Sequence, residues 1–392
     1  MSEWLSLIGI GEDGASGLCA AAKTALARAD VVFGGARHLA MIEHGDKRPW
    51  PVPFSPEGLL ALRGSTRVAA LVSGDPFWHG AGGTLAKELH PEEWRCYPQA
   101  SVFSQAAARL GWRLEEVTCL GLHAAPLARL RRDLQPGQRL IVTLRDGKAP
   151  AELAAYLTAS GFETADLWVM ECLGGPSERI THMQASDPVA PAAPPVACAI
   201  ALRDGPAIPL TSGRDDALFA HDGQITKRPI RALAVSALAP RAGELLWDLG
   251  TGSGSVAVEW LLAHPKNRAI GVERDPVRAA RALSNIAAFC PGAGDVLVGE
   301  SLSHIAALPD PDAVFVGGGF DHALLEALWA RLPVGCRLVV HGVTLETESL
   351  LAQAQGRFGG RLLRIELSEA APLGRLRGWK TSYPVVQWQV VR

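Results

Sequence analysis

The sequence predicts an α/β protein of two domains, and three observations carry that reading. Apolar runs of strand length alternate with helix-length stretches through nearly all of the chain. Two of the strand-to-helix turns are rich in glycine, at residues 9–14 and 250–254. The length of 392 residues is too great for one ordinary core.

Composition narrows the class. The chain is 48% hydrophobic and 20% charged, which is the profile of a globular protein in water. It contains no apolar run of about 18 residues, as a membrane span would need. The start MSEWLSLIGIGEDG lacks the basic-then-apolar order of a secretory signal, so the cytoplasm is the expected location. A formal charge of −2 argues against a partner that is nucleic acid. Seven cysteines are scattered without a C-x-x-C pair, so neither a disulfide framework nor a metal site is expected, and they read as small buried residues.

In the first domain the strand WLSLIGIG ends in Gly9, Gly11 and Gly14, which form a GxGxxG, and a helix is expected over residues 16–29. A dinucleotide site would place an acid at the end of the next strand, but DVVFGG ends in Gly34 and Gly35. A buried strand then runs into Gly74, Asp75 and Pro76, where proline stops it abruptly. That turn reads as punctuation or as a site. A helix over residues 101–110 follows, then the strands EVTCLGLH, RLIVTLRDG, ADLWVMECLG and VACAIAL. The domain is expected to span residues 1–203. Turn formers over residues 204–222 read as a linker, with the boundary good to about ten residues.

The second domain, residues 223–392, opens with a loop and an amphipathic helix in DGQITKRPIRALAVSAL. LLWDLGTGSGSVAVEWL then passes from strand through Asp248, Gly250, Gly252 and Gly254 into a helix. D-x-G-x-G-x-G is not the dinucleotide spacing; it is the spacing used for the methionyl-ribose part of S-adenosylmethionine, with Asp248 within reach of a cationic amino group. The next strand ends on Glu273, about 20 residues past the glycines, where a carboxylate can accept both ribose hydroxyls. A helix at 276–289 with proline in its first turn follows, then the strands GDVLVGE, DAVFVGGG and RLVVHGV and a closing antiparallel pair, LLRIELSEA and TSYPVVQWQVV.

These motifs carry a family resemblance over nearly the whole chain. GIGEDG, SGDPFWHG, CLGLH, LRDGKAPAEL and ECLGGPSERI resemble the class III tetrapyrrole methyltransferases of cobalamin synthesis. ITKRPIRALAV, DLGTGSG, GVERDP, DAVFVGGG and HGVTLETE are similar to the class I partner domain of that pathway. The resemblance implies a class III fold of two α/β halves with a cleft between them, followed by a Rossmann-like class I domain. It implies two S-adenosylmethionine sites, no metal, and a polycarboxylate tetrapyrrole macrocycle as substrate. That macrocycle would be methylated at C5 by the first domain and at C15 by the second, with loss of carbon dioxide from the C12 acetate. A homo-oligomer without membrane or nucleic-acid partners completes the expectation.

Site residues follow from the same resemblance. In the first domain it points to Ser73, Gly74, Asp75 and Ser101, although Pro98 to Val102 departs from the family's Pro-Gly-Ile-Ser-Ser pattern. In the second it points to Thr226 near the cofactor carboxylate and to Glu300 and Ser301 along the adenine. Lys227 reads equally as a ligand or a surface charge. Arg228 and Arg231 read as partners of substrate carboxylates or as helix-surface charges. Gly317, Gly318 and Gly319 read as room for a substrate ring or as a bent loop. No catalytic acid or base is identified; His123, His304, His322 and His341 are the candidates. Rival readings are a two-domain methyltransferase of another substrate, a nicotinamide oxidoreductase and a noncatalytic cofactor-binding protein.

Overall fold

The computed structural model describes residues 3–392, which form two compact units. One comprises the chain up to Leu127 and Asp133–Ala207; the other comprises Ala128–Arg132 and Ile208–Arg392.

The first unit holds two five-stranded sheets. Strands β1 (Leu5–Ile10), β2 (Val31–Gly34), β3 (Lys47–Pro49), β4 (Val68–Ser73) and β5 (Trp94–Tyr97) are parallel, in the order β3-β2-β4-β1-β5. The central β1 and β4 are buried on both faces, and this explains their unbroken apolar sequences. The second sheet contains β6 (Val117–Gly121), β7 (Arg139–Thr143), β8 (Asp166–Glu171), β9 (Arg179–Gln184) and β10 (Val196–Ala201), ordered β6-β7-β10-β8-β9. Only β6 and β7 run parallel there.

The second unit is built on a seven-stranded sheet. Strands β11 (Leu245–Leu249), β12 (Arg268–Glu273), β13 (Gly294–Val298), β14 (Ala313–Val316) and β15 (Arg337–Gly342) are parallel. Strand β16 (Arg361–Ile365), the hairpin β17 (Ser368–Leu373) and β18 (Leu376–Thr381), and β19 (Val385–Val391) follow in sequence. The sheet order is β13-β12-β11-β14-β15-β19-β16, with β19 antiparallel to both neighbours. Leu246 and Trp247, successive on β11, are both fully buried in separate apolar clusters, so both faces of the sheet are covered.

Several local expectations change. The helix expected from residue 16 is a 3-10 turn, Gly14–Gly17, followed by an α-helix, Ala20–Arg28, that Cys19 caps through its sulfur. Cys19 is exposed, and of the seven cysteines only Cys198 and Cys336 are buried. Strand β9 and the β17–β18 hairpin are additions; both are largely exposed, so no buried apolar face marks them in the sequence. Most of the stretch read as a linker packs into the second unit. Ile208 and Phe219 lie in its core, and the backbone N–H groups of Gly213 and Arg214 donate to Glu259 at 2.7 and 2.9 Å.

Candidate functional site

Each unit contains a cavity at the carboxyl ends of its strands, where open α/β sheets bind ligands. In the second unit the cavity has a volume of about 680 Å³. The turn after β11 forms its floor. Gly250 N and Thr251 N donate to Val272 O at 2.9 and 3.1 Å, which pins the turn to β12. Gly250 has φ +68°, and a Cβ there would lie 2.9 Å from Gly318 O, so only glycine lets the two glycine loops touch. The Glu273 carboxylate, at the end of β12, accepts from Gly252 N at 2.9 Å and from Asp275 N at 3.1 Å. It is 7% exposed, lines the cavity, and is held in place by those two bonds.

Thr226, Lys227, Gly250, Gly252, Glu300 and Ser301 line this cavity with Glu273, as do Gly317, Gly318 and Gly319. Four of the cofactor- and substrate-binding candidates of this domain do not: Asp248, Gly254, Arg228 and Arg231. Asp248 is 1% exposed and turns inward: Oδ2 accepts from Thr251 Oγ1 at 2.7 Å and from Ala257 N at 3.2 Å. Its Oδ1 is buried with no partner among the described residues. Burial pushes the Asp248 carboxyl up to about 6, against those two hydrogen bonds and with the Glu273 charge adding to the rise. Asp248 therefore braces the glycine turn through Thr251 and the first turn of the helix Ser255–Ala263. Gly254 packs against Ala282.

Of the two readings offered for the arginines, the surface-charge one holds for Arg228 and neither holds for Arg231. Arg228 is exposed and off the cavity. Arg231 is neither a surface charge nor a cavity cation: it is fully buried, with Nε 2.7 Å from Glu259 and a terminal nitrogen 2.9 Å from Asp216. It also donates to the carbonyls of Thr226 and Arg214. The arginine thus ties the cavity-lining segment at Thr226 to the helix Ser255–Ala263 that begins at the glycine turn. The cations that do line the cavity besides Lys227 are Arg274 and Arg278, and the latter is paired with Asp222 at 2.9 Å.

Of the histidine candidates, His341 lines this cavity, and His304 and His322 do not. His341 is 7% exposed, its Nε2 is 2.9 Å from Gln387 Oε1, and its ring stands edge-on to Phe315. Burial lowers its pKa against the opposing effect of the Gln387 bond. Gln387 was not among the sequence candidates; its signal is a polar residue inside the apolar run VVQWQVV.

The first unit's cavity has a volume of about 410 Å³, and Ser73, Gly74, Asp75 and Ser101 all line it. Gly74, with φ +55°, bonds Ile10 O at 3.0 Å, and a Cβ there would lie 3.0 Å from Ser101 Cα. Ser101 caps the helix Val102–Leu110, its Oγ accepting from Ser104 N at 3.1 Å. The Asp75 carboxylate accepts from Phe77 N at 2.9 Å and so closes its own turn. Ser73 Oγ is 3.0 Å from Nε2 of His38, a nitrogen that Arg37 also approaches, and Arg37 pairs with Glu12. Burial, and then the Arg37 charge, push His38 down to about 4. His123 lines this cavity as well.

Residues 5–188 match the family model described as tetrapyrrole (corrin/porphyrin) methylases, and residues 217–392 match that described as a precorrin methyltransferase domain. A curated protein of Sinorhizobium sp, precorrin-6Y C(5,15)-methyltransferase [decarboxylating], is 46% identical over 99% of this chain and 96% of its own length. The chain belongs to the precorrin-6Y C(5,15)-methyltransferase family. A cobalt-precorrin-6B C(15)-methyltransferase (decarboxylating) of Salmonella typhimurium is 33% identical over 43% of this chain and 91% of its own length. The solved C-terminal domain of precorrin-6Y C5,15-methyltransferase from Rhodobacter capsulatus is 49% identical, covers 47% of this chain and 100% of its own, and superposes with a TM-score of 0.46. In this precorrin-6Y C(5,15)-methyltransferase family member, Ser73 to Asp75 and Ser101 fall within the first matched segment, and Thr226 to Gly318 within the second.

Proposed function

We propose that the chain methylates a precorrin macrocycle twice, at C5 in the first unit and at C15 in the second, and removes the C12 acetate carboxyl in the second. The observation that carries this reading is a separate cavity in each unit, built where a glycine turn meets the carboxyl ends of the strands. Both volumes suit small molecules. S-adenosylmethionine is the methyl donor of the enzyme family, and one bound in each cavity is part of the proposal. The second cavity fits it: beside Gly252 a Cβ would meet open space, and the anchored Glu273 carboxylate presents oxygens to hydroxyl donors. In the first, Ser73, Gly74, Asp75 and Ser101 supply the equivalent surface at the end of β4.

When bound, the cofactor supplies an electrophilic methyl group. The chain's part is to hold an electron-rich ring carbon in line with it and to keep water out, which is worth about 7–11 kcal/mol of the barrier. Lys227 and Arg274 can pair with substrate carboxylates at the second cavity, in the role first considered for Arg228 and Arg231. The reading invokes no metal ion, because the macrocycle's conjugated imine accepts the electron pair released by decarboxylation. Cytoplasmic location and a homo-oligomeric state belong to the same proposal. Among the described residues no helix is long and apolar enough to cross a membrane.

The test is to supply the whole chain with methyl-labelled S-adenosylmethionine and precorrin-6Y. Two labelled methyl groups and one carbon dioxide per macrocycle are expected. Failure of the macrocycle to take up label would overturn the reading.

A further inference from the structure

The second cavity is lined by a buried histidine to which the methyl transfer described above gives no role. His341 and Gln387 face one another directly across the antiparallel pair β15–β19, which puts their side chains on one face of the sheet. The Gln387 amide nitrogen donates to Gln389 Oε1 at 3.3 Å, two residues further along the same face. This turns Gln387 Oε1 toward His341 and makes Nε2 of the imidazole the N–H donor across 2.9 Å. Nδ1 is then a lone pair, it forms no hydrogen bond among the described residues, and it belongs to a ring that lines the cavity. A buried glutamine on a strand paired on both sides is costly to desolvate, and its bonds here serve the orientation of one histidine.

Building on the function proposed above, we propose that Nδ1 of His341 delivers the proton that decarboxylation consumes, with Gln387 and Gln389 as positioning residues. The bond between the acetate methylene and its carboxylate breaks, carbon dioxide leaves, and the electron pair passes into the conjugated imine of the macrocycle. The methylene carbon regains that pair in a bond to the proton from Nδ1 and becomes a methyl group. Nδ1 keeps its own pair and is reprotonated from solvent. Burial favours the uncharged ring; the carboxylates of an arriving substrate bring the negative charge that favours a proton on it. The other charged or titratable side chains around the cavity are the carboxylates Glu273, Glu300 and Asp321, the cations Lys227, Arg274 and Arg278, and the Tyr383 phenol.

The experiment uses the full chain, precorrin-6Y and labelled S-adenosylmethionine. In His341→Asn, carbon dioxide release falls by about 100- to 1,000-fold while first-site methylation and cofactor affinity at the second site stay within about twofold. In Gln387→Glu the carboxylate raises the pKa of His341 and moves the alkaline limb of carbon dioxide release up by about one pH unit. Undiminished release by His341→Asn, a collapse of second-site cofactor affinity in that variant, or an unmoved limb in Gln387→Glu would overturn the assignment. A wild-type chain that releases no carbon dioxide would instead overturn the function on which it rests.

Discussion

The two cavities share a design and differ in where they keep their carboxylates. In the second, Glu273 stands at the end of β12, held by two backbone N–H groups, with its oxygens at the cavity. In the first, the strand in the corresponding place, β2, ends in Gly34; Asp75 is spent on its own turn and Glu12 on Arg37. The polar surface there includes Ser73, bonded to His38 and Arg37, together with Ser101 and His123. The difference shows that a glycine-rich turn by itself says little about ligand chemistry. On the function proposed above, the acid at the end of the neighbouring strand is what makes the second turn a ribose site.

The largest effect expected from breaking this contrast is at Arg231. Its replacement by methionine removes the nearer of the two arginines that pair with the buried Glu259 and leaves Arg214 at 3.6 Å, which costs about 3 kcal/mol. Denaturant unfolding should show that loss in the second unit, with cofactor binding at the first cavity retained; loss at both cavities would contradict the separation of the two sites.

Asp248 sharpens the comparison through pH. Its folded pKa of about 6 lies above the ordinary 3.8, so between those values the folded chain holds a proton that the unfolded chain has released. Stability from this group is present at low pH and is lost as pH rises from about 4 to 6, by roughly 3 kcal/mol, then stays level. Asp248→Asn should flatten that decline in a stability-versus-pH series without lowering cofactor affinity. An affinity loss with no change in the pH series would return Asp248 to the role of a direct ligand.

At Glu273 the expected change is one of binding. Glu273→Ala removes a charged acceptor and should weaken cofactor binding at the second cavity by about 10- to 100-fold, the equivalent of 1.5–3 kcal/mol, with the first unaffected. Titration calorimetry resolves the two. The smallest effect belongs to Gly74→Ala, where the left-handed backbone and the approach to Ser101 should cost about 1–2 kcal/mol and weaken only the first site.

Much of this was readable in the sequence where one side-chain pattern answers to one physical cause. The strands β1, β4 and β11 are apolar because both their faces are covered, and Glu273 follows its glycine turn at the spacing of a strand-turn-helix-strand unit. The helix expected over residues 101–110 is found at Val102–Leu110, with Ser101 as its cap and not its first residue. Other features depend on partners far away in the chain. Arg231 is a surface charge or a buried anchor according to whether Glu259, 28 residues on, meets it. Asp248 lies in the right motif yet is buried off the cavity lining, bonded to Thr251 and to Ala257 of the helix Ser255–Ala263, partners that only the folded turn brings to it. The role of His341 needs Gln387, which only the antiparallel return of β19 brings opposite.

The central claim, one methyl-donor site in each unit, is tested most directly by the stoichiometry of S-adenosylmethionine binding to the full chain, measured by calorimetry for the wild type, Gly74→Ala and Glu273→Ala. The account predicts two sites in the wild type, with only the first weakened in Gly74→Ala and only the second in Glu273→Ala. A single site in the wild type, or equal weakening of both sites by either substitution, would contradict it.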